Sequence, residues 1–283
     1  MLLVTSKGRL ARMDTTATYM DRCLKGEELY GDTFTPEQIK SWYADEKEAY
    51  ANLYGGTRES YAYEYHVFNR VHGFSGLPPG RFGRVLGMGA AYGDELLPII
   101  DRIDRVTILE PSDKFESASV GGKPIEWQKP AVDGTIPFED GSFDLITCFG
   151  VLHHIPNASF VLGEMGRVTR AGGYALVREP ITSMGDWRRP RAGLTVHERG
   201  LPIELFEGMV DRAGFDVVRR RYCMLGPLQK VLTRVMHRPF NSGLATRLDW
   251  FGCAMMVWNR SYHATTPVQK LRPGSVYLVL CKR

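Results

Sequence analysis

The chain has 283 residues, of which 43% are apolar and 24% charged, and its formal net charge is +4 at neutral pH. This composition is typical of a globular protein whose core is large enough to fold without disulfides, and so mild a charge does not indicate a nucleic-acid-binding protein. The five cysteines are scattered without metal-ligand spacing, so the sequence predicts neither a disulfide framework nor a metal site. Because no apolar run approaches the length of a membrane span, we expect a cytoplasmic protein without a membrane partner.

Residues 1–80 are predicted to form a helical cap. A helix is expected over 35–54, because Thr35 is a favourable N-cap and Pro36 fits the first helical turn. A second helix is expected over 59–71. Both segments are rich in tyrosine, and we expect them to pack over a ligand cleft.

Residues 81–283 alternate between short apolar runs and amphipathic segments. This alternation predicts an α/β fold with a Rossmann-like, mostly parallel, seven-stranded sheet and helices on both faces. The expected strands are Arg84–Met88, a run ending at Glu110, Ile125–Ala131, Leu145–Cys148, Tyr174–Arg178, Phe215–Tyr222 and Val276–Cys281, and the expected helices are Asp94–Ile103, Ser159–Thr169 and Glu204–Ala213. Inserts at 181–202 and 225–275 follow the fifth and sixth strands, at the edge where open α/β sheets bind ligands, and we expect them to form substrate walls.

The turn after the first strand is rich in glycine, at Gly87, Gly89 and Gly93, and the next strand ends at Glu110. Glycine lets the backbone turn sharply and approach a ligand closely. An acid at the end of the following strand can accept hydrogen bonds from both hydroxyls of a ribose. The combination predicts a nucleoside-binding cleft.

Three further segments, Asp133–Cys148, Val151–Asn157 and Arg170–Val177, follow this turn. In order and spacing, the four motifs together resemble the class I small-molecule methyltransferases that use S-adenosylmethionine. The resemblance covers Arg84–Val177 and implies that 81–283 is a Rossmann-like methyltransferase domain with S-adenosylmethionine as its cofactor.

The resemblance also implies residues that hold this methyl donor. The backbone near Gly87, Gly89 and Ala91 would cradle the methionine moiety, and Glu110 would hold the ribose. Asp133 matches the acid that reads the adenine amino group. The full set that the resemblance implies is Gly87, Gly89, Ala91, Gly93, Glu110, Asp133, Gly134 and Phe149. One departure stands out, since the family usually has an acid in place of Gly87 that helps to orient the amino end of the cofactor.

Transfer to a hydroxyl requires a base within hydrogen-bonding reach of the acceptor. His153 and His154 follow the fourth strand, Glu179 ends the fifth, and His197 lies in the polar insert next to Glu198, which could orient it. The residues alone leave the choice among these four candidates open.

The function favoured by the resemblance is O-methylation of a small polar or sugar-like acceptor. Trp187 could stack on a sugar ring, and the neighbouring Arg188, Arg189 and Arg191 could hold a phosphate or carboxylate, although a solvated arginine face is the simpler interpretation. The alternatives are an RNA or protein methyltransferase, with nucleic acid the less favoured substrate, and a member of the fold that binds S-adenosylmethionine without transferring methyl. The oligomeric state stays open.

Overall fold

A computed structural model describes residues 18–48, 51–52, 56–189, 191 and 193–283. Its strands are β1 (Phe82–Met88), β2 (Ile103–Leu109), β3 (Ser119–Val120), β4 (Lys123–Gln128), β5 (Phe143–Phe149), β6 (Thr169–Pro180), β7 (Phe215–Leu225) and β8 (Pro273–Lys282). Its helices include α1 (Pro36–Glu46), α2 (His66–His72), α3 (Ala158–Val168), α4 (Ile203–Arg212), α5 (Gly226–Val235) and α6 (Gly243–Met255), together with a 3₁₀ helix over Asp94–Arg102. Residues 18–25 are also helical. No helix in these described ranges is both long and apolar enough to cross a membrane.

The eight strands form one sheet in the order β3-β4-β2-β1-β5-β6-β8-β7. The five strands from β4 to β6 in this order run parallel, and β8 is antiparallel to β6 and β7. The Rossmann-like, mostly parallel sheet is therefore confirmed. The additional strand, β3, has only two residues, too few to give a recognisable alternation in the sequence. Chain order reverses at β1, so a cleft opens beyond the carboxyl ends of β1 and β5.

Helices cover both faces of the sheet, as predicted. On one face, Leu162 and Met165 of α3 and Phe206 of α4 pack against apolar strand residues. On the other, Phe68 of α2 and Leu96 of the 3₁₀ helix belong to the second core cluster. The central strands β1, β5 and β8 are thus largely buried, whereas the outer strands β4 and β7 are partly exposed.

Three predicted helices differ from the structure. Helix α1 begins as expected, with Thr35 and Gln38 in a reciprocal capping box, but it ends at Glu46, and residues 49–50 and 53–55 lie outside the described residues. The helix expected over 59–71 begins only at 66. The segment expected as an α-helix from Asp94 is a 3₁₀ helix, because Pro98 lacks an N–H and excludes a regular α-helical hydrogen-bond pattern.

The turn after β5 is held from two sides by buried charged residues. The carboxylate of Glu179, at the end of β6, accepts hydrogen bonds from the backbone N–H groups of Val151 and Leu152, each at 2.9 Å, and of His153 at 3.3 Å. The guanidinium of Arg199 donates from the opposite side to the carbonyls of Leu152, His153, Ile155 and Pro156, and also to that of Tyr30. The turn therefore has a defined shape although it contains little regular structure.

Replacing Arg199 with methionine should destabilise the protein strongly. The substitution leaves buried carbonyls without donors, and we expect a loss of about 3 kcal/mol or more in the free energy of unfolding. Urea unfolding of Arg199→Met measures this. Arg188→Met is the control, because Arg188 is half-exposed and its ion pairs lie at the surface, where such pairs contribute little. Equal unfolding midpoints for the two variants would contradict this role for Arg199.

Candidate active site

The glycine-rich turn after β1 is shaped by close packing. A Cβ on Gly87 would lie 2.8 Å from a side-chain carbon of Ile108, and one on Gly89 would lie 2.7 Å from Val151 of the turn after β5. Gly89 also has a φ of 55°, which favours glycine. The turn therefore brings bare backbone to the carboxyl end of β1, as a cradle for a ligand requires.

Glu110 joins this turn to the end of β2. Its carboxylate accepts hydrogen bonds from the backbone N–H of Ala91 at 3.1 Å and of Ser112 at 3.2 Å. Ala91 has a φ of 48° and Gly93 one of 79°, and a non-glycine residue in this region is a strained feature typical of functional turns. Each carboxylate oxygen retains a further lone pair, so Glu110 fits the role of holding a ribose diol.

The acidity of Glu110 is altered by its surroundings. Glu110 is only 5% exposed, and burial raises its pKa to about 7 although the two backbone N–H groups oppose this shift. A second carboxylate, that of Glu48, accepts a hydrogen bond from the Ser112 hydroxyl at 2.9 Å and adds to the rise. A hydrogen-bond donor such as a ribose hydroxyl would relieve this shortage of partners.

The N-terminal segment lies over the glycine-rich turn. Ala51 shares a small buried cluster with Ala91, Tyr92 and Phe115. Arg58 forms a two-pronged ion pair with Asp94, at 2.7 and 2.8 Å. The approach to the turn is therefore bounded by residues from outside the sheet domain.

Asp133 and Gly134 lie in the loop before β5. One carboxylate oxygen of Asp133 accepts a hydrogen bond from the backbone of Thr135 at 2.9 Å, and the side chain is exposed. Gly134 has a φ of 89°, and a Cβ there would lie 2.6 Å from Val161 of α3. Packing and turn geometry explain this glycine, while contact of Asp133 with adenine stays a prediction.

Phe149 ends β5 and is largely buried. Its ring packs against Tyr277 at 5.4 Å between ring centroids. Its backbone is followed directly by Gly150, whose N–H donates to the carbonyl of Arg178. Phe149 thus lies at the carboxyl end of the central strands, at the edge expected for the donor pocket.

His153 lies between two buried acids. Its Nδ1 is 2.8 Å from Glu179, and its Nε2 is 3.4 Å from Glu198. Burial opposes a charge on the ring, but the hydrogen bonds to Glu179 and Glu198 outweigh it and raise the pKa of His153. Burial likewise opposes ionisation of Glu198, yet its hydrogen bond with His153 helps to lower the pKa of Glu198 to about 2. The two carboxylates thus favour the protonated form of His153.

His154 has the opposite character. Burial and the neighbouring charge on His153 lower the pKa of His154 below its usual value, so the ring is neutral at pH 7. Its Nδ1 faces Glu46 of α1 at 3.0 Å, and its side chain is 25% exposed. Trp42, one helical turn before Glu46, donates its indole N–H to the carbonyl of His154 at 2.7 Å. Among the predicted bases, His154 is the neutral imidazole that a ligand can reach.

The remaining predicted bases have other partners. Nε2 of His197 is 2.9 Å from Asp45, and its ring stacks on Trp42 at 4.4 Å, while Glu198 turns to His153 instead of orienting its neighbour. The carboxylate of Glu179 is fully buried and occupied by the N–H groups of the turn after β5. The structure thus brings His153, His154 and Glu179 together, with His197 at the margin.

The aromatic and arginine residues of the first insert are also engaged within the protein. Trp187 stacks on Tyr30, with ring centroids 5.5 Å apart. Arg191 donates to four backbone carbonyls of the insert, and Arg188 pairs with Asp186. These arginines hold the insert in shape.

His153, His154 and Glu198 each place one potential ligand atom within 4.8 Å of the others, so they form the set that could hold a metal ion among the described residues. The hydrogen bonds above satisfy these atoms without an ion. The absence of a metal site, expected from the sequence, stays a prediction.

Several residues of the site carry no recognisable signal in the sequence. Glu46 and Glu48 come from the N-terminal segment, and Glu95 and Arg178 lie beside the cleft without belonging to any motif. These residues are far apart in the sequence, and the tertiary fold brings them to the same site. Glu198 had a signal, its adjacency to His197, but that adjacency suggested the wrong partner.

Residues 86–177 match the family model described as "Methyltransferase domain". A putative sarcosine dimethylglycine methyltransferase from Galdieria sulphuraria has a similar structure, with a TM-score of 0.55 and 16% identity over 84% of this chain and 98% of that one. So does an S-adenosylmethionine-dependent methyltransferase from Mesorhizobium loti, with a TM-score of 0.50 and 15% identity over 74% and 95% of the two chains. The [4+2]-cyclase SpnF gives a TM-score of 0.52 and 14% identity over 88% and 97%.

At these identities the structural likenesses show the fold. Together with the matched domain, they confirm the resemblance to class I S-adenosylmethionine-dependent methyltransferases that the sequence motifs indicated. The protein from Mesorhizobium loti is named for its dependence on S-adenosylmethionine. The bare glycine-rich turn and the under-bonded carboxylate of Glu110 fit this cofactor.

The raised pKa of Glu110 predicts that the stability of the ligand-free protein depends on pH. In the unfolded chain this carboxyl ionises near its ordinary pKa of 4.5, whereas in the folded chain it stays protonated up to about 7. Stability therefore falls as the pH rises between these values, and Glu110→Gln should remove this fall. Between about pH 5 and pH 8, the free energy of unfolding of the variant should rise by up to about 3 kcal/mol relative to that of the native protein.

Chemical unfolding at a series of pH values measures this difference directly. Groups that titrate equally in both proteins cancel in the comparison. A difference in unfolding free energy that stays constant with pH would contradict the assignment.

Proposed function

We propose that this chain, with the class I methyltransferase fold and a methyltransferase domain at residues 86–177, transfers a methyl group from S-adenosylmethionine to an oxygen of a small polar acceptor. The observation that carries the proposal is His154. A neutral, partly exposed imidazole, backed by a carboxylate, lies at the strand end that adjoins the donor pocket.

Donor binding depends on the glycine-rich turn and Glu110. When bound, S-adenosylmethionine supplies a methyl group already activated by its sulfonium. The protein therefore has to position two ligands and remove one proton, and orientation provides much of the acceleration. Glu110 fixes the nucleoside at the end of β2, and Val151, which contacts Gly89, couples the donor cradle to the turn that carries the histidines.

Proton removal is assigned to His154. With its Nδ1–H donated to Glu46, its Nε2 is left with a lone pair that can accept the acceptor's hydroxyl proton as the oxygen gains the methyl group. The carboxylate of Glu46 then stabilises the imidazolium. His153 is less suited to this role, because both of its ring nitrogens face carboxylates of the protein, those of Glu179 and Glu198.

The charges around His154 support a hydroxyl-bearing acceptor. Glu46, Glu198 and Asp45 all lie close to the two histidines or to His197, and carboxylates accept hydrogen bonds from hydroxyls but repel anions. A sugar-like or other polyhydroxylated small molecule fits these carboxylates better than the phosphate or carboxylate considered from the arginine-rich insert.

A cyclase among the proteins of similar structure means that the fold alone does not establish methyl transfer. Release of S-adenosylhomocysteine in the presence of a panel of sugars, polyols and phenols is therefore the direct assay. Donor binding without release of this product for any acceptor would favour the alternative of a non-methylating member of the fold.

His154→Ala should lower kcat by about 100-fold or more, because it removes the proton acceptor, while leaving the affinity for S-adenosylhomocysteine unchanged. In the native enzyme the rate should fall only at acidic pH, because protonation inactivates the base and burial holds the pKa of His154 below 6.5. Rates and calorimetric affinities of the variant test this.

His197→Ala is the matched control, since His197 also pairs with an acid and contacts Trp42. It should change kcat by only a few-fold. The base assignment fails if His197→Ala loses activity while His154→Ala retains it.

A further inference from the structure

Arg178, at the end of β6, is a buried cation without an acid partner. It is 8% exposed, and among the described residues its guanidinium donates one hydrogen bond, to the side-chain oxygen of Asn69 at 3.4 Å. The guanidinium lies over the ring of Tyr65 at 4.3 Å and near those of Phe68 and Phe149. Within the described residues, no carboxylate lies within ion-pair distance of it. A guanidinium has several N–H donors, and leaving a buried charge unpaired is costly.

Glu95 is a buried carboxyl group that lies close enough to Arg178 to interact with its charge. It is almost fully buried, and its carboxylate accepts a hydrogen bond from the hydroxyl of Thr147 on β5. Burial raises the pKa of Glu95 to about 7, although the Thr147 hydroxyl and the charge of Arg178 oppose the shift. Glu95 and Arg178 thus influence each other electrostatically without contact.

The strand register places these groups on one face of the sheet. Gly87 of β1 aligns with Thr147 of β5, and Phe149 of β5 aligns with Arg178 of β6. Aligned residues of parallel strands point to the same face, and so do residues two apart along one strand. Gly87, Thr147, Phe149 and Arg178 therefore share one face at the carboxyl ends of three adjacent strands, where this fold binds ligands.

Gly87 lies beside the hydroxyl group that Glu95 contacts, and the space next to its Cα is filled by Ala90 and Ile108. A Cβ on Gly87 would lie 3.7 Å from the Thr147 hydroxyl, the same group that Glu95 contacts. The carboxylate of Glu95 thus lies beside the end of β1, although Glu95 belongs to the 3₁₀ helix that follows β1 and not to β1 itself. Asn69 is held by a hydrogen bond to the hydroxyl of Tyr63 at 2.7 Å, which fixes the Asn69 oxygen near Arg178.

We propose that Glu95 and Arg178 together bind an α-amino-acid group, with Arg178 taking its carboxylate and Glu95 its ammonium. Such a zwitterion supplies the charges that both buried groups lack, and a guanidinium is well suited to bind a carboxylate through two hydrogen bonds. This inference rests on the proposed function. The amino-acid group belongs either to the methionine end of the methyl donor or to an amino-acid acceptor.

Calorimetry separates the two sources. S-adenosylhomocysteine carries the amino-acid end, whereas 5′-methylthioadenosine has the same nucleoside and thioether without it. If the donor supplies the group, Arg178→Met should weaken S-adenosylhomocysteine binding by about 30-fold or more and leave 5′-methylthioadenosine binding unchanged, and Glu95→Gln should show the same pattern. If the acceptor supplies it, both nucleosides should bind Arg178→Met normally, but the hydroxyl-bearing amino acids serine and threonine should bind only to the native protein saturated with S-adenosylhomocysteine.

Thermal unfolding of the ligand-free variant distinguishes binding from a structural role. Because Arg178 lacks an acid partner, methionine on the same aromatic rings should not lower the melting temperature. Arg221→Met is the control: Arg221 also covers an aromatic ring, that of Trp250, but donates to the carbonyl of Val71 outside the cleft, and its loss should leave every ligand affinity unchanged.

Two results would overturn this inference without contradicting the proposed function. One is that Arg178→Met leaves all of these affinities unchanged, and the other is that it weakens both nucleosides equally with a lower melting temperature. A native protein that binds neither nucleoside would instead contradict the proposed function, and this inference with it.

Discussion

The site depends on the two buried side chains that hold the turn between β5 and α3. Glu179 accepts its N–H groups, and Arg199 donates to its carbonyls. A short turn with few apolar contacts would otherwise have to satisfy these groups with water. Because both charges are fully used in this way, the turn is rigid where it carries His153 and His154. Arg199 extends the same support to Tyr30, so the N-terminal segment is fixed relative to the histidines as well.

The buried glutamates on the two sides of the cleft differ in the direction in which their pKa values are shifted. On the donor side, burial raises the pKa values of Glu95 and Glu110 to about 7, because neutral hydroxyl and backbone groups are their main partners. On the acceptor side, contacts with the histidine pair lower the pKa values of Glu46 and Glu198. The donor side is therefore short of hydrogen-bond donors and positive charge, which a nucleoside and an ammonium group can supply. The acceptor side is already ionised and arranged for proton transfer.

Much of the sheet could be predicted because its central strands are short, largely apolar runs. β1 and β5 are buried on both faces, and their sequences show this directly. The glycine-rich turn and Glu110 were recognisable because their spacing follows from the βαβ geometry. Helical details were harder, since Pro98 alone changes an amphipathic segment into a 3₁₀ helix.

The partners of the site residues could not be predicted. His197 and Glu198 are adjacent in sequence, yet one turns to Asp45 and the other to His153, because consecutive residues in an irregular segment need not face the same way. Glu46 meets His154 across a long sequence separation, on a helix whose contacts no local pattern specifies. The charged groups that shift the pKa values of the histidines are brought to them by tertiary packing. The sequence motifs reflect only what the local backbone conformation requires.

The central claim is that Glu110 holds the nucleoside of the methyl donor. Calorimetric titration of S-adenosylhomocysteine into the native protein and into Glu110→Ala tests it most directly, with the exposed acid Glu116→Ala as the control. We predict that the native protein and the control bind alike and that Glu110→Ala binds at least about tenfold more weakly, a difference of about 1.4 kcal/mol. Undetectable binding to the native protein, or equal affinity for Glu110→Ala, would contradict the account.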